Sequence, residues 1–251
     1  MPLETHRGLS FHVQDLGSGP PVVMLHGLLV GSMASWYFTA APALAATHRV
    51  RLFDLRGHGK SERATTGYDV PTMAGDLASI AARFTDEPVT LVGHSYGAVV
   101  ALHFAIHHPE RVRRLVLVEA PLPASRLQEL DAFLGMPPES MAGALPGVLQ
   151  EALARKGRQA ARFVDALRFL ATGSSLFADL RRAEDIPDDA LARVRCPVLC
   201  VYGSESSCLP VGRRVAAAIP GARLVVMPGG HFLPIEAPRA LGAHLQEFLD
   251  G

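Results

Sequence analysis

A serine flanked by glycines is the residue of this chain whose surroundings are most typical of covalent chemistry. Residues 93–97 are Gly-His-Ser-Tyr-Gly, after a β-type run at 89–92 and before small apolar residues at 98–102 that predict a buried helix. A strand that reverses into a helix at one residue forces strained backbone there, and glycines on either side remove Cβ atoms that would clash. The Ser95 hydroxyl would stand at a helix N-terminus, whose free N–H groups stabilise an anion. The pattern therefore predicts a nucleophile elbow with Ser95 as the nucleophile.

The charge balance of the chain argues against several kinds of partner. The 251 residues contain 24 Lys plus Arg and 24 Asp plus Glu, so the formal net charge is zero and nothing electrostatic favours nucleic acid or an anionic membrane. We find no apolar signal sequence near the N-terminus, and no apolar stretch approaches the ~20 residues that span a bilayer. We therefore expect a cytoplasmic protein that binds neither nucleic acid nor membrane, and the sequence leaves its oligomeric state open.

The three cysteines, Cys196, Cys200 and Cys208, all lie late in the chain. Cys196 and Cys200 are four residues apart on one predicted strand, which is too far for a disulfide. The spacing of the three matches no zinc-binding pattern. The sequence therefore implies no metal, no organic cofactor and no disulfide framework, and we expect Cys196 and Cys200 to be small buried hydrophobic residues.

The order of predicted strands and helices indicates an α/β fold. Apolar strand patterns alternate with helical patterns, and the strands are predicted at 9–13, 22–25, 50–53, 89–92, 115–118, 197–202 and 223–227. The helices are predicted at about 36–46, 73–84, 96–107, 211–218 and 237–249. We expect a doubly wound, mostly parallel sheet formed by residues 1–119 and 196–251. Residues 120–195 contain helical patterns at 126–134, 148–156 and 160–170, broken by Pro and Gly. They would form a cap over the carboxyl edge of the sheet, where ligands bind in such folds.

Five motifs in this chain resemble those of the α/β-hydrolase family, and of its serine hydrolases with a helical cap. They are His-Gly at 26–27, Asp-Leu-Arg-Gly-His-Gly-Lys-Ser at 54–61, Gly-His-Ser-Tyr-Gly at 93–97, Pro-Glu-Arg-Val at 109–112 and Gly-His at 230–231. They occur in the family's order and cover the chain outside the cap segment. The resemblance therefore specifies the fold but not the substrate.

The resemblance also implies roles for residues around Ser95. In this fold the triad follows the chain order serine, acid, histidine, and His231 occupies the position of the catalytic base. The oxyanion hole would use two backbone amides, that of Tyr96 after the nucleophile and that of Leu28 after the early His-Gly motif. The side chains of Leu28 and Tyr96 would line the pocket, while His26 would shape the loop.

The chain departs from the family at the triad acid. The usual pattern after the strand that ends at 202 is Gly, two residues, Asp, three residues, Pro; here Gly203 and Pro210 are in place, but Ser206 stands at the Asp position. A serine cannot stabilise an imidazolium as a carboxylate does. We expect the acid to be Glu119, which ends the strand after the nucleophile, as in certain haloalkane dehalogenases of the family. Glu205, one residue from the usual position, is the alternative acid.

These features together predict an enzyme. We expect a serine hydrolase that cleaves an acyl bond (a carboxylic ester, lactone or thioester) in a small to medium apolar molecule, because the cap segment is rich in Leu, Phe and Met. Dehalogenase and epoxide hydrolase activities are disfavoured, because those family members use Asp where this chain has Ser95. Two alternatives stay open. One is C–C bond hydrolysis or acyl transfer in the same site, and the other is a hydrolase-fold ligand receptor with little turnover.

Overall fold

An eight-stranded sheet forms the centre of the computed structural model, which describes residues 2–122 and 158–251 together with positions 132, 135–137, 140, 143, 147 and 150. The strands are β1 (Leu3–His6), β2 (Leu9–Leu16), β3 (Pro21–Leu25), β4 (Arg49–Phe53), β5 (Val89–His94), β6 (Val112–Val118), β7 (Val198–Gly203) and β8 (Arg223–Met227). Their spatial order is β1-β2-β4-β3-β5-β6-β7-β8. β2 pairs antiparallel with both β1 and β4. In the spatial order from β4 onward, every neighbouring pair is parallel. The predicted mostly parallel α/β fold is confirmed.

Helices cover both faces of this sheet. They are α1 (Ala34–Tyr37), α2 (Ala41–Leu44), α3 (Val70–Phe84), α4 (Tyr96–His107), α5 (Arg158–Thr172), α6 (Leu176–Arg182), α7 (Asp188–Leu191), α8 (Leu209–Ala218), α9 (Leu233–Glu236) and α10 (Pro238–Asp250). Within the part of the chain that the structure describes, no helix has the length and apolar character needed to cross a membrane.

Two apolar clusters lie on opposite faces of the sheet and explain why its central strands are apolar throughout. In β3, Val23 and Leu25 belong to one cluster, whereas Val22 and Met24 belong to the other. Successive side chains of a strand point to opposite faces, so a strand covered by helices on both sides needs apolar residues at every position. Because the sheet is packed on both faces, the carboxyl ends of its strands are held in place, and the loops that follow them start from rigid positions.

The helix predicted at 36–46 is instead two short helices, α1 and α2. Pro42 lies in the first turn of α2. Because proline has no N–H and its ring clashes with the preceding turn, one helix cannot run through this position. The strand β1, which pairs with β2, was not predicted from the sequence.

Between β6 and β7, the described residues include the helices α5, α6 and α7. Residues 160–170, predicted as a helix, lie within α5. The other two helices predicted in this segment, at 126–134 and 148–156, lie largely outside the described residues. The division into a core of 1–119 and 196–251 and a cap of 120–195 stays a prediction.

Candidate active site

Ser95 lies in a sharp turn between β5 and α4. Its backbone angles are φ 54° and ψ −127°, a strained conformation for a residue with a side chain. The glycines beside it are needed for close packing, because a Cβ at Gly93 would collide with the backbone of Ala98 and one at Gly97 with the carbonyl oxygen of His26. The Ser95 amide donates to the Val118 carbonyl at 2.9 Å, which ties the turn to β6. The sequence thus folds locally so that the Ser95 hydroxyl projects from the carboxyl edge of the sheet.

The His231 imidazole faces the Ser95 hydroxyl. Nε2 of His231 lies 2.9 Å from Oγ of Ser95. The histidine follows β8 on a turn whose Gly229 has φ 130°, a conformation that favours glycine. With the ring proton on Nδ1, Nε2 accepts a hydrogen bond from the serine hydroxyl, which is the geometry that proton abstraction from serine requires.

The other nitrogen of His231 faces Glu119. Nδ1 lies 3.3 Å from Oε2 of this carboxylate, which is fully buried at the end of β6. The Gly203 amide donates to Oε1 at 2.5 Å, and the Ser206 hydroxyl donates to Oε2. These donors, from the last residue of β7 and from the loop after it, hold the carboxylate in place, which a buried charge requires.

Glu205 lies elsewhere. Its side chain is exposed, and its backbone amide donates to the Gly229 carbonyl at 3.0 Å. The structure therefore brings Ser95, His231 and Glu119 together and leaves Glu205 in solvent.

A cysteine that the sequence did not connect with this site also contacts His231. Sγ of Cys208 lies 3.7 Å from Nδ1 of His231, and Cys208 is buried just before α8. Burial by itself lowers the pKa of His231, but the neighbouring Cys208 sulfur and Glu119 carboxylate outweigh it and raise this pKa to about 9. The surroundings therefore favour the imidazolium that forms when His231 takes a proton. The neutral ring, which is the form that can accept the serine proton, becomes more populated as the pH rises toward 9.

His94 supports the loop that carries His231. Its Nε2 donates to the His231 carbonyl oxygen at 2.8 Å, and its ring stands edge-on to Trp36. Burial, with a smaller effect from His231, lowers the pKa of His94 to about 3. His94 is therefore a neutral donor that fixes the backbone of His231.

The loop that carries the Leu28 amide is held by His58. Nδ1 of His58 donates to the Arg56 carbonyl at 2.8 Å, and Nε2 accepts from the Leu29 amide at 2.9 Å. This pattern needs a neutral ring, and burial, followed by the effect of nearby His26, lowers the pKa of His58 to about 3. Leu29 itself has a left-handed conformation with φ 65°.

His26 holds the other end of this loop. Its Nδ1 donates to the Gly27 carbonyl at 2.7 Å, and its Nε2 accepts from the Leu55 amide at 2.9 Å. Burial lowers the pKa of His26, which again favours the neutral ring. The loop lies directly against the elbow, since a Cβ placed at Gly27 would be 3.0 Å from Cβ of Ser95.

Two backbone amides next to Ser95 have no acceptor among the described residues. One is that of Tyr96, which as the first residue of α4 has no partner within the helix, and the other is that of Leu28. Tyr96 follows Ser95 directly, and Leu28 follows Gly27, which packs against Ser95. Their role as the oxyanion hole stays a prediction.

The side chain of Tyr96 has contacts of its own, distinct from those of its backbone amide. Its hydroxyl donates to the Tyr68 carbonyl at 2.9 Å, and the ring lines a cleft of about 470 Å³ that runs along α4 past Val99 and His103. Among the described residues, the lining of this cleft does not include Ser95. That the side chains of Leu28 and Tyr96 line a pocket beside Ser95 stays a prediction.

Comparisons with known proteins agree with this fold. A family model described as the alpha/beta hydrolase fold matches residues 20–172. The pimeloyl-[acyl-carrier protein] methyl ester esterase of Chromobacterium violaceum is 32% identical, over 95% of this chain and 99% of that protein. A non-heme chloroperoxidase of Kitasatospora aureofaciens is 30% identical over 91% of each chain.

A solved structure has the same architecture over nearly its whole length. The esterase from Exiguobacterium antarcticum superposes with a TM-score of 0.80 at 25% identity, covering 97% of each chain. The family model, the relatives along the full chain and the fold agree, and this chain is therefore an enzyme of the α/β-hydrolase family.

Proposed function

We propose that this enzyme is a serine hydrolase that cleaves an acyl bond of a small to medium apolar substrate, with Ser95, His231 and Glu119 as its triad. The observation that carries the proposal is the continuous contact from the Ser95 hydroxyl through both ring nitrogens of His231 to the Glu119 carboxylate, at 2.9 and 3.3 Å. Serine alone is a weak nucleophile and needs a base within hydrogen-bond reach, which His231 supplies.

In the first half of the reaction, Ser95 Oγ attacks the substrate carbonyl while its proton moves to Nε2 of His231. The positive charge on the imidazolium is stabilised by Glu119 at Nδ1. The carbonyl oxygen becomes an oxyanion, which the amides of Leu28 and Tyr96 stabilise. His231 then gives the proton to the leaving group as the carbonyl–heteroatom bond breaks, and an acyl-serine remains.

In the second half, water replaces the leaving group. His231 takes a proton from water as the water oxygen attacks the acyl carbon. The tetrahedral species then collapses as the bond from the acyl carbon to Ser95 Oγ breaks and His231 returns the proton to Oγ, which releases the acid and free Ser95. The same groups act in both halves, so the chain's own residues supply all of the proton transfers.

The class of bond is supported by two observations. The relative from Chromobacterium violaceum and the structural relative from Exiguobacterium antarcticum are both named as esterases. The residues next to the site in the chain, Leu28 and Phe232, are apolar and partly exposed, which fits an apolar acyl group. We therefore place carboxylic esters first among the substrates, with lactones and thioesters as chemically equivalent acyl donors.

The test is covalent labelling combined with turnover. A fluorophosphonate should label Ser95, with the adduct located by mass spectrometry, and Ser95→Ala should lose both the label and the hydrolysis of p-nitrophenyl esters. Ser204→Ala, which removes an exposed serine from the loop after β7, is the matched control and should keep both. Labelling or hydrolysis that persists in Ser95→Ala would contradict the proposal. If Ser95 is labelled but no acyl substrate is hydrolysed, the result would instead favour the alternative of a hydrolase-fold ligand receptor with little turnover.

A further inference from the structure

The side chains of Glu119, Cys208 and His231 bring three metal-ligating atoms together at Nδ1 of the imidazole, the nitrogen that does not face Ser95. Glu119 follows β6, Cys208 precedes α8, and His231 follows β8, so they are distant in the chain. A carboxylate oxygen, the sulfur and a ring nitrogen all lie within 4.8 Å of one another. Within the part of the chain that the structure describes, this is the one group of three His, Cys, Asp or Glu side chains that could hold an ion.

The separations of these atoms fit a tetrahedral ion. Nδ1 of His231 is 3.3 Å from Oε2 of Glu119 and 3.7 Å from Sγ of Cys208. Zinc bonds of about 2.0–2.3 Å at tetrahedral angles hold nitrogen and oxygen about 3.3 Å apart, and nitrogen and sulfur about 3.6 Å apart. Two of the three pairs therefore have the required spacing, and the sulfur and carboxylate would close by roughly 1 Å at most.

The charges and the donor atoms of the three groups indicate which ion would bind there. Glu119 is fully buried, and among the described ion pairs its partner is His231, with no Lys or Arg. A carboxylate and a thiolate together neutralise a divalent cation, which satisfies the requirement that buried charges be compensated. Nitrogen and sulfur donors favour zinc over magnesium or calcium, which prefer oxygen.

We propose that Glu119, Cys208 and His231 form an inhibitory site for Zn²⁺. The ion binds Nδ1 of His231, Sγ of Cys208 and a carboxylate oxygen of Glu119. The thiol proton leaves to solvent, and the ring proton passes from Nδ1 to Nε2. That Nε2 then carries a proton toward Ser95 and has no lone pair for the serine proton. That zinc inhibits rests on the proposed function, whereas zinc binding itself does not.

Access to this site is limited, which gives the inhibition a characteristic time course. Glu119 and Cys208 are 0% and 1% exposed, whereas the His231 side chain is 28% exposed. An ion therefore meets His231 first and reaches the other two ligands only after the loops around them open. Inhibition should develop over time rather than on mixing.

The activity test uses the full chain after treatment with a chelator. Added Zn²⁺ should cause time-dependent loss of p-nitrophenyl ester hydrolysis, and the chelator should restore it. Cys208→Ala, measured against its own zinc-free rate, should need more than about tenfold more Zn²⁺ for half-inhibition. Cys208→Ser gives the same comparison with less change in volume. Cys196→Ala, at a half-buried cysteine away from the site, is the matched control and should keep the parent's sensitivity.

A spectroscopic test separates this inference from the proposed hydrolysis. Co²⁺ bound to Ser95→Ala should give the near-ultraviolet absorption of a thiolate–cobalt bond, and the band should disappear when Cys208→Ser is added. This measurement needs no turnover, so it holds even if no substrate is hydrolysed. Absence of the band in Ser95→Ala, or a band and a zinc sensitivity that do not depend on Cys208, would overturn the site.

Discussion

The Ser206 hydroxyl donates a hydrogen bond to Oε2 of Glu119, the carboxylate oxygen that faces His231. Ser206 stands at the position where the family resemblance implies the acid of the triad, and its hydroxyl orients a carboxylate from the neighbouring strand. The two strands lie side by side, with Val118 paired to Val201 and the Glu119 amide bonded to the Val201 carbonyl at 3.0 Å. The end of either strand can therefore bring a carboxylate to the same place beside the imidazole.

Replacing Glu119 should separate the two candidate acids. Glu119→Gln removes the negative charge that stabilises the His231 imidazolium, and we expect kcat for p-nitrophenyl esters to fall by about 10²–10⁴-fold. Glu205→Gln is the matched control, because its side chain is exposed, and it should change kcat by no more than a few-fold. Circular dichroism would show that both variants fold. If Glu205→Gln gave the large loss and Glu119→Gln the small one, the assignment would be reversed.

Ser206 offers a second test of how the carboxylate is held. Ser206→Ala removes a hydrogen bond to a charged group, so we expect the free energy of unfolding to fall by about 1.5–3 kcal/mol, as measured in urea. The loss in kcat should be smaller than in Glu119→Gln, because His231 keeps its carboxylate.

In the double variant Glu119→Gln/Ser206→Asp, an acid returns at the usual position, and kcat should exceed that of Glu119→Gln by about tenfold or more. Equal rates for these two variants would show that position 206 cannot present a carboxylate to His231.

The parts of this protein that the sequence predicted correctly are those set by local patterns. Gly93 and Gly97 mark the elbow because only glycine fits the close contacts on either side of it. Apolar runs mark the central strands β3 and β7, because a strand covered on both faces must be apolar at nearly every position. Pro42 lies inside the helix predicted at 36–46, and this proline is the feature of the sequence that indicates two helices instead of one.

The contacts that involve Ser206 and Cys208 could not be predicted in the same way. They depend on how loops after β6, β7 and β8 meet at the sheet edge, and no spacing in the sequence encodes that meeting. One signal was present: Ser206 at the usual acid position showed that another carboxylate was needed. Nothing comparable marked Cys208, whose contact with His231 joins residues 23 positions apart. The assignments of the triad and the oxyanion amides remain predictions that the experiments above can decide.

The size of the acyl group should affect turnover. Because Leu28 and Phe232 present apolar surface beside the site, we expect kcat/KM to rise over the first few carbons of a p-nitrophenyl acyl series. Each CH₂ that becomes buried contributes up to about 0.8 kcal/mol, or about fourfold in kcat/KM. The shared leaving group keeps the intrinsic reactivity similar along the series. A flat series, or faster turnover of acyl groups that carry a terminal charge, would argue against an apolar acyl site.

The stability of the protein should fall in mild acid because His58 is buried as a neutral ring. Its folded pKa is lowered to about 3 by burial, so between that value and the ordinary 6.5 the unfolded chain binds more protons than the folded one. Stability is therefore fully present above pH 6.5 and is lost as the pH falls toward 3. For His58 alone, the loss between pH 7.5 and 5 is about 2 kcal/mol. The lowered pKa values of His26 and His94 add to this loss, whereas the raised pKa of His231 opposes it.

Urea unfolding at pH 7.5 and pH 5 would measure this loss. His58→Gln keeps an acceptor for the Leu29 amide but does not titrate, so it should be less stable at pH 7.5 and lose about 2 kcal/mol less on acidification than the parent. His108→Gln, at an exposed position after α4, is the matched control for removing an imidazole and should keep the parent's pH dependence. An unchanged acid loss in His58→Gln would mean that His58 already carries a proton in the folded protein. It could not then accept from the Leu29 amide, and the loop that presents the Leu28 amide would need another support.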